Sequence, residues 1–212
     1  TIVMCHGINL NKSFFLKIIN IFKEDYNVFV FDFGDYGNSE SPYKSASIGY
    51  RETNDLYGAL DYLAERGITE IALYGLSMGC FPCINAAANP PPNINIRTVV
   101  LVNPFADLSR LVNDVLKRAL VAQPGRWAAE KIMEYIGEYK MEKVSPEKVI
   151  ANVRCPVLVL RGKDDWFIPE RQAKQLYENA PKGAFQYHSG GHFHGDDNEI
   201  GNKAHSFFQK HF

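Results

Sequence analysis

Apolar residues recur along the chain in short continuous runs that are separated by longer amphipathic segments. The runs have the length and the apolar character of buried strands. They cover residues 2–5, 28–31, 71–74, 98–102, 157–160 and 185–188. Strands that are apolar on both faces are typical of a parallel sheet covered by helices on each side.

Helical spacing of apolar residues marks the segments between these runs. The predicted helices cover residues 10–22, 47–67, 78–88, 169–179 and 200–210. Ser47 is expected to cap the second helix, Gly67 to close it, and Pro169 to form the first turn of the fourth. Residues 34–47, rich in Gly, Ser and Asp, and residues 89–93, with three successive prolines, are expected to be loops. Alternation of strands and helices predicts the α/β class with a mainly parallel sheet.

One interval breaks this alternation. Residues 105–153 contain helical patterns and no strand-like run, so we expect a small inserted helical cap within a single domain of residues 1–212. The chain also starts at Thr1, directly before the first strand, which suggests that upstream sequence, including further N-terminal strands, is missing.

Composition narrows the class of partners. Lys and Arg number 23 against 24 Asp and Glu, a net charge of −1, whereas a nucleic-acid binder needs an excess of basic residues. No apolar run approaches the roughly 20 residues that span a bilayer. Four cysteines in 212 residues are too few for a disulfide scaffold, so a reducing, cytoplasmic location is expected.

The clearest chemical signal is a GxSxG motif formed by Gly75, Ser77 and Gly79. It follows a predicted strand and precedes a predicted helix, which is the context of a nucleophile elbow. A sharp turn of this kind exposes the serine hydroxyl, and flanking glycines avoid collisions with neighbouring backbone. Ser77 is therefore the candidate nucleophile.

A serine hydroxyl needs a base, and the base needs a group that orients it. Asp165 follows the strand at 157–160 and precedes Pro169, so it is the preferred acid, with Asp164 as the alternative. His192 lies in a glycine-containing loop after the last predicted strand and is the preferred base. The other C-terminal histidines are expected to be surface residues; they are His194, His205 and His211.

The candidate oxyanion hole combines two backbone amides. Met78 follows the nucleophile directly, and Ile8 lies in the loop after the first strand, where Gly7 allows close approach of the backbone. His6 in the same loop is expected either to brace it or to be a core histidine with satisfied hydrogen bonds.

These residues together resemble the α/β-hydrolase superfamily from Ile2 to the end of the chain. The similarity is greatest to small-cap serine hydrolases such as monoacylglycerol lipases, acyl-protein thioesterases and Bem-type α/β-hydrolase-domain proteins. The matching segments are residues 6–7, 32–39, 75–79, 103–105, 162–169 and 191–192. The resemblance implies Ser77 as nucleophile, Asp165 as acid and His192 as base.

Two departures from the family pattern stand out. The family loop after the second strand often reads Asp-x-Arg-Gly-x-Gly-x-Ser, but Gly34 and Asp35 occupy the Arg and first Gly positions here. The antiparallel strand pair that usually precedes the first strand of this sequence is also absent. The first departure affects contacts of that loop and leaves the proposed triad intact.

The combined expectation is a serine hydrolase of carboxylic esters or thioesters that needs no cofactor. An acyltransferase, a small-peptide amidase or a non-catalytic binding module are the alternatives. The expected partner is a small-molecule acyl substrate rather than nucleic acid. Candidate pocket residues are aromatic; they are Phe105, Trp127, Trp166 and Phe193.

Two further motifs carry weaker signals. Cys80 and Cys83 have the CxxC spacing of redox proteins, but they follow an elbow, where small residues pack a helix against the sheet. Residues 192–197 resemble most of an HxHxDH metal motif, yet Asp197 replaces its last histidine. Neither redox chemistry nor a metal site is expected.

Overall fold

A computed structural model describes residues 1–40 and 45–212 and contains one six-stranded sheet. All neighbouring strands are parallel, in the order β2-β1-β3-β4-β5-β6. The strands are β1 (Ile2–Cys5), β2 (Val28–Val30), β3 (Glu70–Leu76), β4 (Asn95–Val102), β5 (Val157–Gly162) and β6 (Gly183–His188). The predicted parallel sheet is confirmed.

Helices cover both faces of this sheet. They are α1 (Leu16–Phe22), α2 (Glu52–Ala64), α3 (Cys80–Ala88), α4 (Leu108–Arg118), α5 (Gln123–Gly137), α6 (Pro146–Val149), α7 (Glu170–Asn179) and α8 (Asp197–His211). Apolar side chains of α2, α3 and α7 form one cluster with one face of the sheet, and those of α1 and α8 form another with the opposite face. The predicted α/β class is therefore confirmed.

Alternate residues of each strand feed these two clusters, because successive side chains of a strand point to opposite faces. In β1, Val3 and Cys5 pack on the α2 and α3 side, whereas Ile2 and Met4 pack on the α1 and α8 side. Burying one such apolar side chain stabilises the fold by about 1.5–3 kcal/mol. This explains why the strands are apolar throughout.

The register brings the loops that carry the candidate site to one edge. Cys5 pairs with Gly75 and Leu76 with Val102, so β1, β3 and β4 end at nearly the same level. On the far side of β4, Gly162 of β5 pairs with His188 of β6. The loops after these five strands, β1 and β3 to β6, therefore meet above the carboxyl edge of the sheet.

Helices and short turns fill the interval between β4 and β5, and the described chain has no strand there. Asp107 caps α4 by accepting a hydrogen bond from the Arg110 N–H. Apolar side chains of this interval pack against α3 in a third cluster with Phe81. Among the described residues, no helix has the length and apolar character that crossing a bilayer requires.

Several helix starts differ from the predictions. The segment predicted as one helix over 10–22 begins with a 3₁₀ turn, Lys12–Phe15, capped by Asn11. The second helix starts at Glu52, and Ser47 precedes it: the buried Glu52 carboxylate accepts the Ser47 N–H at 2.9 Å and ties the preceding turn to the helix.

One smaller difference concerns the start of the fourth predicted helix. Pro169 lies one residue before α7 rather than within its first turn. The loop predicted over 34–47 includes residues 41–44, which lie outside the described residues.

Candidate active site

The turn after β3 places Ser77 at the carboxyl edge of the sheet. Ser77 has a φ of +51°, a left-handed conformation that a residue with a side chain rarely adopts. Such strain costs on the order of 1–3 kcal/mol and is typical of functional sites. A 3₁₀ turn, Ser77–Gly79, leads from this residue into α3, as a nucleophile elbow requires.

Close approach of backbone segments explains both glycines of the motif. A Cβ at Gly79 would lie 2.3 Å from the carbonyl oxygen of Cys5, in the neighbouring strand. A Cβ at Gly75 would lie 2.8 Å from the Cα of Cys80, at the start of α3. Any larger residue at either position would push the turn away from β1 or from its own helix.

Ser77, His192 and Asp165 form a continuous hydrogen-bond series. The Ser77 Oγ lies 3.0 Å from the His192 Nε2, and the His192 Nδ1 lies 3.0 Å from the Asp165 Oδ2. The side chains of His192 and Asp165 are only 3% and 1% exposed. When Nδ1 donates to the carboxylate, Nε2 presents its lone pair to the hydroxyl, so the arrangement can move a proton away from Ser77.

The second oxygen of Asp165 fixes the direction of this carboxylate. Its Oδ1 accepts hydrogen bonds from the N–H groups of Phe167 at 3.0 Å and Ile168 at 2.9 Å. Asp164, the alternative acid, is exposed and is not part of the series. Of the two candidates, Asp165 alone is brought to His192.

Gly7 and the elbow bring the two candidate oxyanion donors to one side of Ser77. A Cβ at Gly7 would lie 3.4 Å from the Ser77 Cβ, and both Gly7 and Ile8 line a cavity beside the serine. Among the described residues, the Ile8 N–H has no hydrogen-bond acceptor. Met78 follows Ser77 in the 3₁₀ turn that leads into α3, where first-turn amides lack acceptors within the helix.

His6 joins the Ile8 loop to the loop after β2. Its Nδ1 donates to the Gly7 carbonyl at 2.9 Å, and its Nε2 accepts the Phe33 N–H at 3.1 Å. Complete burial lowers the pKa of His6, which favours the neutral ring that these two bonds require. His6 is therefore a buried, hydrogen-bonded brace of this loop.

The loop after β2, which departs from the family pattern, also touches the elbow. The Tyr36 hydroxyl lies 3.7 Å from the Met78 Sδ, and the Tyr36 ring packs edge-on against His6 at 5.0 Å. Asp32 accepts the backbone N–H of Lys12 at 2.7 Å and pairs with its ammonium group. These contacts hold the residues around Ile8 without the usual arginine.

The four aromatic pocket candidates occupy different places. Phe193 is next to His192 and lines the cavity beside Ser77; Trp166 lies 6.4 Å from the Phe193 ring and is exposed. Phe105 is buried in the apolar cluster of the 105–153 interval. Trp127 is exposed on α5 and lines a separate depression with residues of α4.

The two weaker motifs have structural explanations. The Cys80 thiol is buried and donates to the Gly75 carbonyl at 3.3 Å, and burial raises its pKa well above the ordinary value, which disfavours the reactive thiolate. In the 192–197 segment, His192 is bound to Asp165 and His194 is exposed. Within residues 1–40 and 45–212, no three His, Cys, Asp or Glu side chains are placed to hold a metal ion.

Comparison with known families agrees with this architecture. A family model described as alpha/beta hydrolase fold matches residues 1–123, more than half of the chain. The chain belongs to the α/β-hydrolase family. A second model, described as serine hydrolase (FSH1), matches residues 99–200 of this α/β-hydrolase.

Similar proteins extend the comparison. The uncharacterized protein YqkD of Bacillus subtilis is 29% identical over 202 residues, which cover 91% of this α/β-hydrolase and 64% of YqkD. An esterase of Pyrococcus furiosus, Pf2001, has the same fold with a TM-score of 0.75 at 18% identity, covering 99% of this chain and 80% of the esterase. A Thermogutta terrifontis esterase gives 0.71 at 18% identity, covering 99% and 89%.

Asn103 is a site residue to which sequence analysis gave no role in this α/β-hydrolase. It follows β4 with a φ of +50°, and its Oδ1 accepts the Gly162 N–H at 2.8 Å. Its Nδ2 lies 3.3 Å from the Gly191 carbonyl oxygen and 3.4 Å from that of His192. Asn103 thus links the start of the acid loop to the base loop. The sequence signals for Asn103 are its position directly after a buried strand and its place in the 103–105 segment that matches the family pattern.

Two more buried side chains support these loops. The Arg161 guanidinium donates to the carbonyl oxygens of Gly162 at 2.6 Å and Asp165 at 2.9 Å. The His188 ring lies with Nδ1 2.8 Å from the Ser189 carbonyl and Nε2 3.0 Å from the Asn103 Oδ1. Both residues belong to strands, and the apolar pattern that predicts a strand assigns no role to a polar side chain within it.

Proposed function

We propose that this protein is a serine hydrolase that cleaves carboxylic esters or thioesters of small-molecule acyl substrates. The observation that supports this proposal is the unbroken series of hydrogen bonds from Ser77 through His192 to Asp165. Membership of the α/β-hydrolase family and the match to the serine hydrolase model are consistent with it.

In the proposed mechanism, the Ser77 Oγ attacks the substrate carbonyl carbon while the His192 Nε2 takes the hydroxyl proton. Asp165 orients the imidazole and stabilises the imidazolium that forms. The N–H groups of Ile8 and Met78 bind the oxyanion. The bond to the leaving group then breaks, and His192 gives its proton to the departing oxygen or sulfur.

The second half of the proposed reaction repeats these roles with water. Water occupies the position of the leaving group, His192 takes one of its protons, and the hydroxide attacks the acyl carbon bound to Ser77. Collapse of the second oxyanion releases the acid and returns the proton to Ser77. Apart from this water, the groups that act in both halves are side chains and backbone amides of the protein.

A fluorophosphonate probe tests the proposed nucleophile. The wild-type protein should become labelled, and Ser77→Ala should not, because an activated serine displaces fluoride from the probe and forms a phosphonate ester. Ser206→Ala removes an exposed hydroxyl from α8 and should keep full labelling. Equal labelling of the Ser77→Ala variant, with its fold verified by thermal unfolding, would contradict the proposal.

A further inference from the structure

A cavity of about 330 Å³ opens beside Ser77 on the α1 and α8 side of the sheet. Its rim is open: Phe14 and Phe193 are 41% and 59% exposed. Its floor is closed: Ile18, Tyr74 and Val102 are each at most 2% exposed. The cavity therefore has an exposed rim and a buried end.

We propose that this cavity binds the acyl group of the substrate and that it accepts short or aromatic acyl groups but excludes long fatty acyl chains. The inference rests on the proposed hydrolase function and deepens it by naming the substrate class. It also assigns substrate binding to residues of α1, β3 and β4 rather than to the aromatic residues of the 105–153 interval.

The order of chemical events explains why the closed pocket suits the acyl group. After the first step, the acyl group is bound to the Ser77 Oγ, while the leaving group must depart and water must reach the His192 Nε2. A leaving group held at the buried end would have to pass the acyl group on Ser77 to escape through the exposed rim. The covalently held acyl group has no such requirement, so the closed end serves it and the open side serves the leaving group and water.

The chemistry of the lining selects a neutral hydrocarbon group. Leu10, Leu76 and Ile200 contribute apolar side chains to the wall, and the Tyr74 ring packs edge-on against Phe15 at the floor. Three of the polar lining residues have partners: Asn103 contacts His188 and the base loop, and Asp197 lies 3.7 Å from the Lys17 ammonium. A charged acyl tail would find no counter-ion at the buried end of the cavity, which Ile18, Tyr74 and Val102 form.

The volume sets an upper limit on acyl length. At about 30 Å³ for each water-sized atom, the cavity holds roughly ten non-hydrogen atoms. Butanoyl to octanoyl and phenylacetyl groups fit within this limit, whereas a hexadecanoyl group does not. Each additional buried methylene should raise kcat/KM by about fourfold until the pocket is full.

Two ester series distinguish the acyl side from the leaving-group side. In the first, p-nitrophenyl esters carry acyl groups of two to sixteen carbons; in the second, butanoate esters carry alcohols of increasing length. For the wild-type protein, kcat/KM in the acyl series should peak near six to eight carbons and fall at least tenfold at sixteen. The alcohol series should show no comparable limit, because that side is open.

Substitution at the floor of the pocket tests the assignment directly. Ile18→Phe should shorten the pocket, so the octanoyl-to-acetyl ratio of kcat/KM should fall at least tenfold while the acetyl ester changes less than about threefold. Ile19→Phe is the matched control, since Ile19 is the neighbouring residue of α1 and does not line the cavity. Its ratio should stay at the wild-type value.

A variant at the rim covers the case in which Ile18→Phe does not fold. Phe14→Ala should widen the entrance without disturbing the core, since Phe14 is exposed, and should raise the dodecanoyl-to-octanoyl ratio several-fold. A best substrate of twelve or more carbons, or floor and rim variants that change the alcohol series instead, would overturn the inference. A shift in acyl preference caused by Trp127→Ala would also overturn it.

These failures differ from failure of the proposed function. If Ser77 is not labelled and no ester in either series is hydrolysed, the hydrolase proposal itself is wrong. If Ser77 is labelled and esters are hydrolysed, but the best substrate has an acyl group of twelve or more carbons, only the pocket assignment is wrong.

Discussion

The two halves of the candidate site are built by different means. On one side, backbone packed against backbone at Gly75 and Gly79 holds the Ser77 turn, and the buried His6 ring braces the Ile8 loop beside it. On the other side, the loops that carry Asp165 and His192 are held by side-chain hydrogen bonds from residues such as Asn103. We refer to these as the elbow half and the loop half.

The difference shows where the site is tolerant and where it is sensitive. In the elbow half, the position of Ser77 follows from a local turn and from the absence of side chains at Gly75 and Gly79, so the geometry of that turn is encoded within a few residues. In the loop half, position depends on partners far apart in sequence, such as Asn103 and Gly191, 88 residues apart. Single polar substitutions should therefore disturb the loop half through its geometry, with little change in the elbow half.

Replacing the acid should give the largest effect. Asp165→Asn keeps the size of the side chain but removes the charge and favours the wrong tautomer of His192, so kcat should fall roughly 10³- to 10⁴-fold. Asp164→Asn is the matched control, because its side chain is exposed, and its kcat should stay within about twofold. Ester hydrolysis under saturating substrate measures both.

A large loss in Asp164→Asn together with a small loss in Asp165→Asn would contradict the assignment of the acid. It would also mean that the 162–168 loop rearranges on substrate binding, since Asp165 is the one bonded to His192 in the structure.

Sequence analysis predicted the Ser77 turn of the elbow half because the determinants of that turn are local. The GxSxG spacing and the apolar run before it are enough to predict the strand, the turn and the exposed serine. The parallel sheet also followed from the pattern, since buried strands alternate with helices, whereas the order of the strands in the sheet was not predicted. The start of α2 was harder, because a buried carboxylate, Glu52, bonds backwards to Ser47 and reorganises the turn.

The cavity beside Ser77 was not predicted from the sequence. Aromatic residue type indicates apolar surface, but it does not tell whether that surface is concave. The cavity lies between Leu10, Ile18 and Ile200. These three residues belong to a loop, to α1 and to α8. Such a gap depends on the tertiary arrangement of α1 and α8, which no local pattern describes.

Removing the link between the two loops should give an intermediate effect. Asn103→Ala frees the carbonyl oxygens of Gly191 and His192 and leaves the Gly162 N–H without its acceptor. We expect kcat to fall roughly 10- to 100-fold with a smaller change in KM, because the alignment of His192 with Ser77 suffers more than binding. The rate of fluorophosphonate labelling should fall in parallel.

Asn95→Ala is the matched control for this variant. Asn95 is the first residue of β4, at the opposite end from Asn103, and its amide donates to the exposed Glu70 carboxylate at 2.8 Å. Its kcat and labelling rate should match the wild type. If Asn103→Ala loses thermal stability but keeps its kcat and labelling rate, Asn103 supports the fold without positioning His192.

The smallest expected effect is a pH dependence of stability that comes from two buried histidines. His6 belongs to the elbow half and His188 to the loop half. Burial lowers the pKa of both His6 and His188 from the ordinary value of 6.5. Below about pH 6.5 the unfolded chain therefore binds protons that the folded chain resists, so these two groups make stability fall as pH decreases and have no effect above that range. Each 1 kcal/mol lost lowers the unfolding midpoint by roughly 2–4 °C for a domain of this size.

The two rings should nevertheless titrate in a fixed order. Protonating His6 destroys the acceptor that its Nε2 offers to the Phe33 N–H, so it adds a lost hydrogen bond to the cost of burial. Protonating His188 supplies a second donor, because both of its ring nitrogens face oxygen atoms, of Ser189 and Asn103. Nuclear magnetic resonance of the imidazole Cε1–H groups should therefore show His6 titrating at lower pH than His188.

His188→Gln should reduce the loss of thermal stability between pH 7 and pH 5. The reverse order of titration, or an undiminished loss in this variant, would mean that the hydrogen bonds of the loop half do not determine the charge of His188.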